Sequence, residues 1–284
     1  MNPEESIIWL YLRIEAAYRA IVGDRSLRKA GFEPGLSDIE ALVIEIFGEW
    51  QGHHGDKAIW RYCDQHWREW FPELPGYKTF TKRCGNLRWI KERMLTNLWP
   101  LSDMHIVDGV PLPLCQFARA RRCKRMRELA AYGHCAAKKM TYWGLKGYPL
   151  MRLDGPIVAF WTQPANEDER SILDNMIGFI KGLVLADKGF QTKEKAAELA
   201  AYGVDLLVPS RKNMAATISE KAENILKNTR RLIETAIGQL VERFAFQNIK
   251  ARCPLAFFNA THPASKLTHV SAHLCLAVQN AHSS

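Results

Sequence analysis

The sequence predicts an all-α N-terminal module followed by an α/β domain built on a mixed five-stranded sheet flanked by helices. Three observations carry that reading. Up to about residue 100, apolar residues recur at helical spacing. From residue 103 they gather instead into short runs bounded by turns. Beyond residue 180, strand-like runs alternate with helical segments, an order that requires crossover connections and parallel strands.

The helical part has recognisable starts and stops. Ser37 followed by Glu40 is a capping box, since hydroxyl and carboxylate can each satisfy an unpaired amide at a helix start. Behind it, Ile39, Leu42, Val43, Ile46, Phe47 and Trp50 form one apolar stripe. A second helix is expected near Asp56 to Phe71. A third is expected from Phe80 to Leu95, where Phe80, Cys84, Leu87, Ile90 and Met94 mark the stripe, with Pro72 and Pro75 between the two. Seven of the nine tryptophans lie in this first third. A small helical module buries such side chains to gain apolar area. Lys57, Arg61, Arg68, Lys82, Arg83, Arg88, Lys91 and Arg93 decorate the same helices, as they would in a DNA-reading helix-turn-helix.

The second part begins with MHIVD. The runs YWGLKGYPLMRLDG and PIVAFWTQ then meet at Asp154-Gly155, a dipeptide suited to a tight hairpin turn. An amphipathic segment near Asp168 to Lys181 follows. After it come GLVLADKG, a helix around Lys193 to Tyr202, VDLLVPS, and a long helix from about Asn228 to Phe246.

Composition narrows the function. The 284 residues are 47% hydrophobic with a net charge of +9, which excludes a disordered chain and favours a polyanionic partner. No run of eighteen apolar residues appears, and acids interrupt the N-terminus early, so neither a transmembrane helix nor a secretion signal is expected. Seven scattered cysteines without a CxxC pair read as reduced thiols of a cytoplasmic protein. His269 and His273 sit four apart, as zinc ligands on a helix would, with Cys275 nearby, but no third ligand has convincing spacing and they read as packing residues.

Two apolar runs end on an acid and then turn: HIVDG at Asp108 and LVLADKG at Asp187. If the strands are parallel neighbours, both carboxylates emerge at the sheet edge where ligands bind in open α/β folds. Two such anions call for a hard cation with oxygen ligands. A third acid, Glu234, interrupts the flank of the stripe Leu232, Ile233, Ala236, Ile237, Leu240, Val241 and Phe244. Asp154 belongs to its turn, and Asp103 precedes its strand by too much to share the edge.

The segments IVDGVPLPLC, YGHCAAKKMTYWGLKGYPL, TQPANEDER, LVLADKGF, VPSRKNM and RRLIETAIGQLVERF, spread over about residues 37 to 250 with their flanks, resemble the DDE transposases of bacterial insertion sequences, specifically the insertion sequence 982 branch. The resemblance implies a ribonuclease H-like catalytic domain at 101–250, after a helical, DNA-binding module at 1–100. It places the Asp, Asp, Glu triad on Asp108, Asp187 and Glu234, holding two Mg2+ or Mn2+ ions. Cleavage at the element's terminal inverted repeats, strand transfer into target DNA and a homodimeric synaptic complex follow from it. Phosphate contacts are expected from Arg119, Arg121, Arg122, Lys124, Arg125, Lys138, Lys139, Arg211, Lys212, Arg230 and Arg231. Some related transposases surround the glutamate with a tyrosine, an arginine and a lysine. Arg230 meets the arginine, whereas Lys227 and Val241 stand at the other two positions. The tail at 251–284 departs from the family's basic helix, which keeps a second reading alive, a non-catalytic DNA-binding relic that represses transposition. A cellular nuclease acting on RNA hybrids fits the acids but not the helical module.

Overall fold

A computed structural model describes residues 3–23, 25, 27, 31, 33–136, 138–177, 179–190, 193–209, 220–249 and 254–261. They fall into two compact units, one of Met1–Leu98 joined by the helix Pro254–Thr261, the other within Trp99–Arg252.

In the first unit, α1 (Pro3–Val22), α2 (Asp38–Trp50), α3 (Asp56–His66), α4 (Tyr77–Asn86) and α5 (Arg88–Leu98) enclose one apolar core. The capping box is present: the Glu40 amide donates to Ser37 Oγ at 3.1 Å and the Ser37 amide to Glu40 Oε2 at 2.6 Å. The helix predicted from Phe80 to Leu95 is two helices. Gly85 and Asn86, both weak helix formers, end α4, and α5 restarts at Arg88. Trp67 packs against Phe47 with ring centroids 5.0 Å apart, and Trp60 Nε1 donates to the Pro75 carbonyl. Trp9, Trp70 and Trp89 are exposed, so the tryptophans are only partly core.

Two of the cations assigned to a DNA-reading surface are turned inward. Lys91 is buried on α5 and donates to both oxygens of Glu45 on α2 at 2.8 Å, while Arg83 Nε donates to Asp38 Oδ1 at 2.9 Å. In the short C-terminal helix Phe257 is buried, and the Arg88 guanidinium lies 5.9 Å from the Phe258 ring centroid.

The described residues of the second unit form seven strands: β1 (Met104–Val107), β2 (Val110–Gln116), β3 (Ala131–Cys135), β4 (Met140–Arg152), β5 (Ile157–Pro164), β6 (Gly182–Leu185) and β7 (Val204–Leu207). The main path is β2-β4-β1-β6-β7. β1, β6 and β7 are mutually parallel, and every pairing made by β4 is antiparallel. β4 is the spine: β1 and β2 share one of its edges, β3 and β5 the other. β2 and β3 are additions to the five strands predicted. β2 carries Pro111 and Pro113, which an edge strand tolerates because its outer side needs no N–H. The hairpin from β4 to β5 turns at Gly155, φ 117°, and Asp154 there accepts from Arg152 at 2.7 and 2.8 Å.

α6 (Ile172–Met176) and α7 (Lys193–Ala201) supply Ile172, Leu173, Met176 and Leu199 to a core shared with Val107, Tyr148, Leu150 and Val184 of the sheet. α8 (Glu220–Arg243) buries Ile233, Ala236 and Leu240, with Ile233 beside Ile106 and Leu185. Leu232, predicted to be part of this stripe, is 43% exposed because it sits one position, about 100° of helical turn, before Ile233. Among the described residues no helix is long and apolar enough to cross a membrane, and the five described cysteines are free thiols.

Removing Lys91 takes the opposing charge away from the buried Glu45 carboxylate. Lys91→Met should therefore lower stability by roughly 3–5 kcal/mol, and Glu45→Leu added to it should restore most of the loss. Urea unfolding of the three variants measures this.

Candidate active site

The site begins with a gap in a strand. β1 and β2 keep one register against β4, since Val107 pairs with Leu150 and Val110 with Gly147. Between them Asp108 and Gly109 fall opposite Pro149 and Tyr148, and Pro149 has no N–H to offer the ladder. The chain puckers there, and the Gly109 amide turns back to donate to Asp108 Oδ1 at 2.8 Å.

The neighbouring strand stops at the same level. The last parallel pair between β1 and β6 is Ile106 with Leu185, and Asp108 and Asp187 each lie two residues beyond it. Parallel pairing thus delivers both carboxylates to the carboxyl edge of adjacent strands. Burial pushes the Asp108 carboxyl up to about 6, the negative charges of Asp187 and Glu169 add to the rise, and the Gly109 N–H and Arg230 oppose it.

Arg230, on the exposed flank of α8, closes the site. Its Nη1 donates to Asp187 Oδ1 at 2.8 Å, its Nη2 approaches Asp187 Oδ2 at 3.5 Å, and its Nε donates to Glu234 Oε1 one turn along the helix at 2.9 Å. Although burial works against it, the guanidinium is held further toward its charged form by Asp187, Glu234 and Asp108. The three predicted acids therefore stand in two relations. Asp108 and Asp187 are brought to one edge, while Glu234 reaches Asp187 through Arg230. Among the described residues no three acidic, histidine or cysteine side chains lie close enough together to share a metal ion.

A fourth acid was missed by the sequence reading. Glu169 stands between the two aspartate turns: a Cβ on Gly109 would lie 3.6 Å from its Oε1, and one on Gly189 only 2.2 Å from its Oε2. Its loop is pinned by buried Gln163, whose Nε2 donates to the Tyr148 hydroxyl at 2.9 Å and the Asp168 carbonyl at 3.0 Å. Lys146 pairs with Glu169 at 3.4 Å. The run Glu167, Asp168, Glu169 was visible in the sequence, but nothing in it distinguishes the inward acid from Asp168, which accepts from the amide and side chain of Arg170.

The predicted phosphate contacts are dispersed. Arg119, Arg121 and Arg122 are exposed in the 3-10 turn Phe117–Arg122 that follows β2, with Lys124 exposed and Arg125 half-buried just after it. Lys138 and Lys139 are exposed in the turn between β3 and β4. Arg231 is exposed on α8 beside Arg230. Arg211, Lys212, His269, His273 and Cys275 lie outside the described residues.

A mixed sheet with paired aspartates at the carboxyl edge of adjacent parallel strands defines the class as an open α/β domain with its site at the strand ends. Residues 100–252, more than half the chain, match the family described as Transposase DDE domain, and the chain belongs to that family. Among solved structures it is similar to a piggyBac transposase in a synaptic complex with hairpin DNA, determined by cryo-EM. The identity is 10% and the TM-score 0.47, over 95% of this chain and 73% of that one. No curated protein matches the chain.

The raised carboxyl of Asp108 destabilises the fold as pH climbs. The penalty is absent below about pH 4, grows as pH rises toward about 6 and is complete above it, because the native state holds the proton longer than the unfolded chain. Asp108→Asn keeps the Gly109 hydrogen bond and removes the charge. It should raise stability at pH 7.5 by roughly 1–3 kcal/mol in metal-free buffer and make no difference at pH 4. Thermal melts at both pH values check this.

Proposed function

We propose that the protein is a transposase of the insertion sequence 982 branch. It would cut DNA at the element's terminal repeats and join the freed 3′ hydroxyl to target DNA, acting as a homodimer on the DNA of a bacterial cytoplasm. The observation that carries the reading is that Asp108 and Asp187 each follow the last register pair of two parallel strands by two residues, at one sheet edge.

The donor set fits a hard divalent cation. All the candidate ligands are carboxylate oxygens, and at Asp187 and Glu234 a guanidinium already supplies the positive charge they share. Asp108 and Asp187 would hold Mg2+ or Mn2+, with Glu234 joining them once Arg230 is displaced. The chemistry supplied by two such ions when bound is activation of water or a 3′ hydroxyl and stabilisation of the leaving oxygen in an in-line displacement at phosphorus.

The chain's own residues do the rest. The β1 and β6 ends fix two carboxylates before substrate arrives, so Arg230 is the group that would have to move to open the anionic edge. Arg230, freed from its carboxylates, is placed to grip a phosphate next to that edge. Arg231 and the cations of 119–125 and 138–139 would extend the contact along the DNA backbone. The net charge of +9 favours such a partner.

Supercoiled plasmid carrying the element's ends, incubated with Mg2+, tests the reading. The wild type should nick it. Loss of a residue that merely orients a metal ligand typically costs about 10–100-fold, so Asp108→Ala, Asp187→Ala and Glu234→Ala should each lose at least about a hundredfold. Binding to the ends without nicking by any form would overturn the catalytic reading and leave a DNA-binding relic. Preference for an RNA hybrid would point to a cellular nuclease.

A further inference from the structure

The far end of the sheet carries a surface that the cleavage chemistry does not use. Beyond Leu145, β4 continues as the middle strand of a three-stranded lobe with β2 and β3. Cys115, Trp143 and Tyr132 pair across these three strands, so their side chains share one face. Tyr132 meets Trp143 at 5.0 Å and Phe117 at 5.7 Å between ring centroids, both edge to face. The result is a row of three rings. Phe117 is 59% exposed and Tyr132 42% exposed. Trp143 Nε1 has no hydrogen-bond partner among the described residues.

Positive charge frames the row. Both connections of the lobe are basic: the link from β2 to β3 contains Arg119, Arg121, Arg122, Lys124, Arg125 and Arg127, and the turn from β3 to β4 contains Lys138 and Lys139. No ion pair with an acid engages Arg119, Arg121, Arg122 or Lys124 among the described residues. β2 runs from the Asp108–Gly109 gap to this lobe. Its seven residues, Val110–Gln116, set the rings roughly 20 Å from the acidic edge at the usual strand rise.

We propose that this lobe is a second DNA contact, one that takes unpaired nucleotides by stacking their bases on Phe117 and Tyr132 while the flanking arginines hold the strand's phosphates. Exposed aromatic rings interleaved with cations are the combination that binds single-stranded nucleic acid, because every base has a π-face whatever its sequence. Duplex would satisfy the arginines alone and leave the rings in water. The inference deepens the DNA-processing reading and rests on it for the identity of the polymer.

Fluorescence anisotropy in metal-free buffer separates the two. The probes are a blunt duplex and the same duplex with a tail of unpaired thymines, with a thymine oligoribonucleotide as a third arm. The wild type should bind the tailed probe more tightly than the blunt one, with a change in tryptophan fluorescence. Phe117→Ala with Tyr132→Ala should weaken tailed-probe binding by tenfold or more, a stack being worth about 1–3 kcal/mol per base, and should shift blunt-duplex binding less than about twofold. Tyr132→Phe should bind the tail as the wild type does, which a folding defect could not explain.

Equal weakening for both probes, no weakening, or tighter binding of the oligoribonucleotide would overturn the proposal. So would a change of oligomeric state in Tyr132→Ala by sedimentation, which would make the row a contact between copies of the chain. Nicking by the wild type without any preference for the tail would sink this inference and leave the catalytic reading standing. A tail preference in a protein that never nicks would do the reverse.

Discussion

Two carboxylates held at the ends of adjacent parallel strands repel each other, and the rest of the sheet unit is arranged around that repulsion. The register of β1 with β6 leaves Asp108 and Asp187 no choice of level. Their environment answers with charge. α8 lays Arg230 against Asp187, and β4 sends Lys146 to the neighbouring Glu169. Arg230 also ties Glu234 to the site, so one side chain compensates two acids on different elements.

Much of this was legible in the sequence, and the reasons differ by element. An apolar run that finishes on an acid before a turn is unusual, so Asp108 and Asp187 stood out, and the parallel crossover order put them on one edge. Glu234 was legible only as an acid beside an apolar stripe, a pattern that fixes its helix but not its partner. The bridge through Arg230 depends on how α8 is rotated against the sheet, which periodicity alone leaves open. β2 was hidden by Pro111 and Pro113, whose fit depends on the strand being an edge, a tertiary fact. Glu169 was hidden because three successive acids look alike until Gln163 pins their loop.

Charge in the helical unit shows the opposite limit of sequence reading. A cation on a helix is scored as exposed unless its burial is known, yet Lys91 and Arg83 are spent on Glu45 and Asp38. Burying one charge opposite the other offsets the desolvation that each would otherwise carry. In the sheet unit the basic residues of the β2-to-β3 link stay exposed, except the half-buried Arg125.

The length of β4 ties these parts together. Along its thirteen residues it meets β2 and β1 on one side and β3 and β5 on the other. Trp143 near its start and Leu150 near its end therefore belong to a single rod, continuous through the position opposite the acid-bearing gap. The aromatic row at one end and the two aspartates beside the other thus share a common support, with no loop of β4 lying between them.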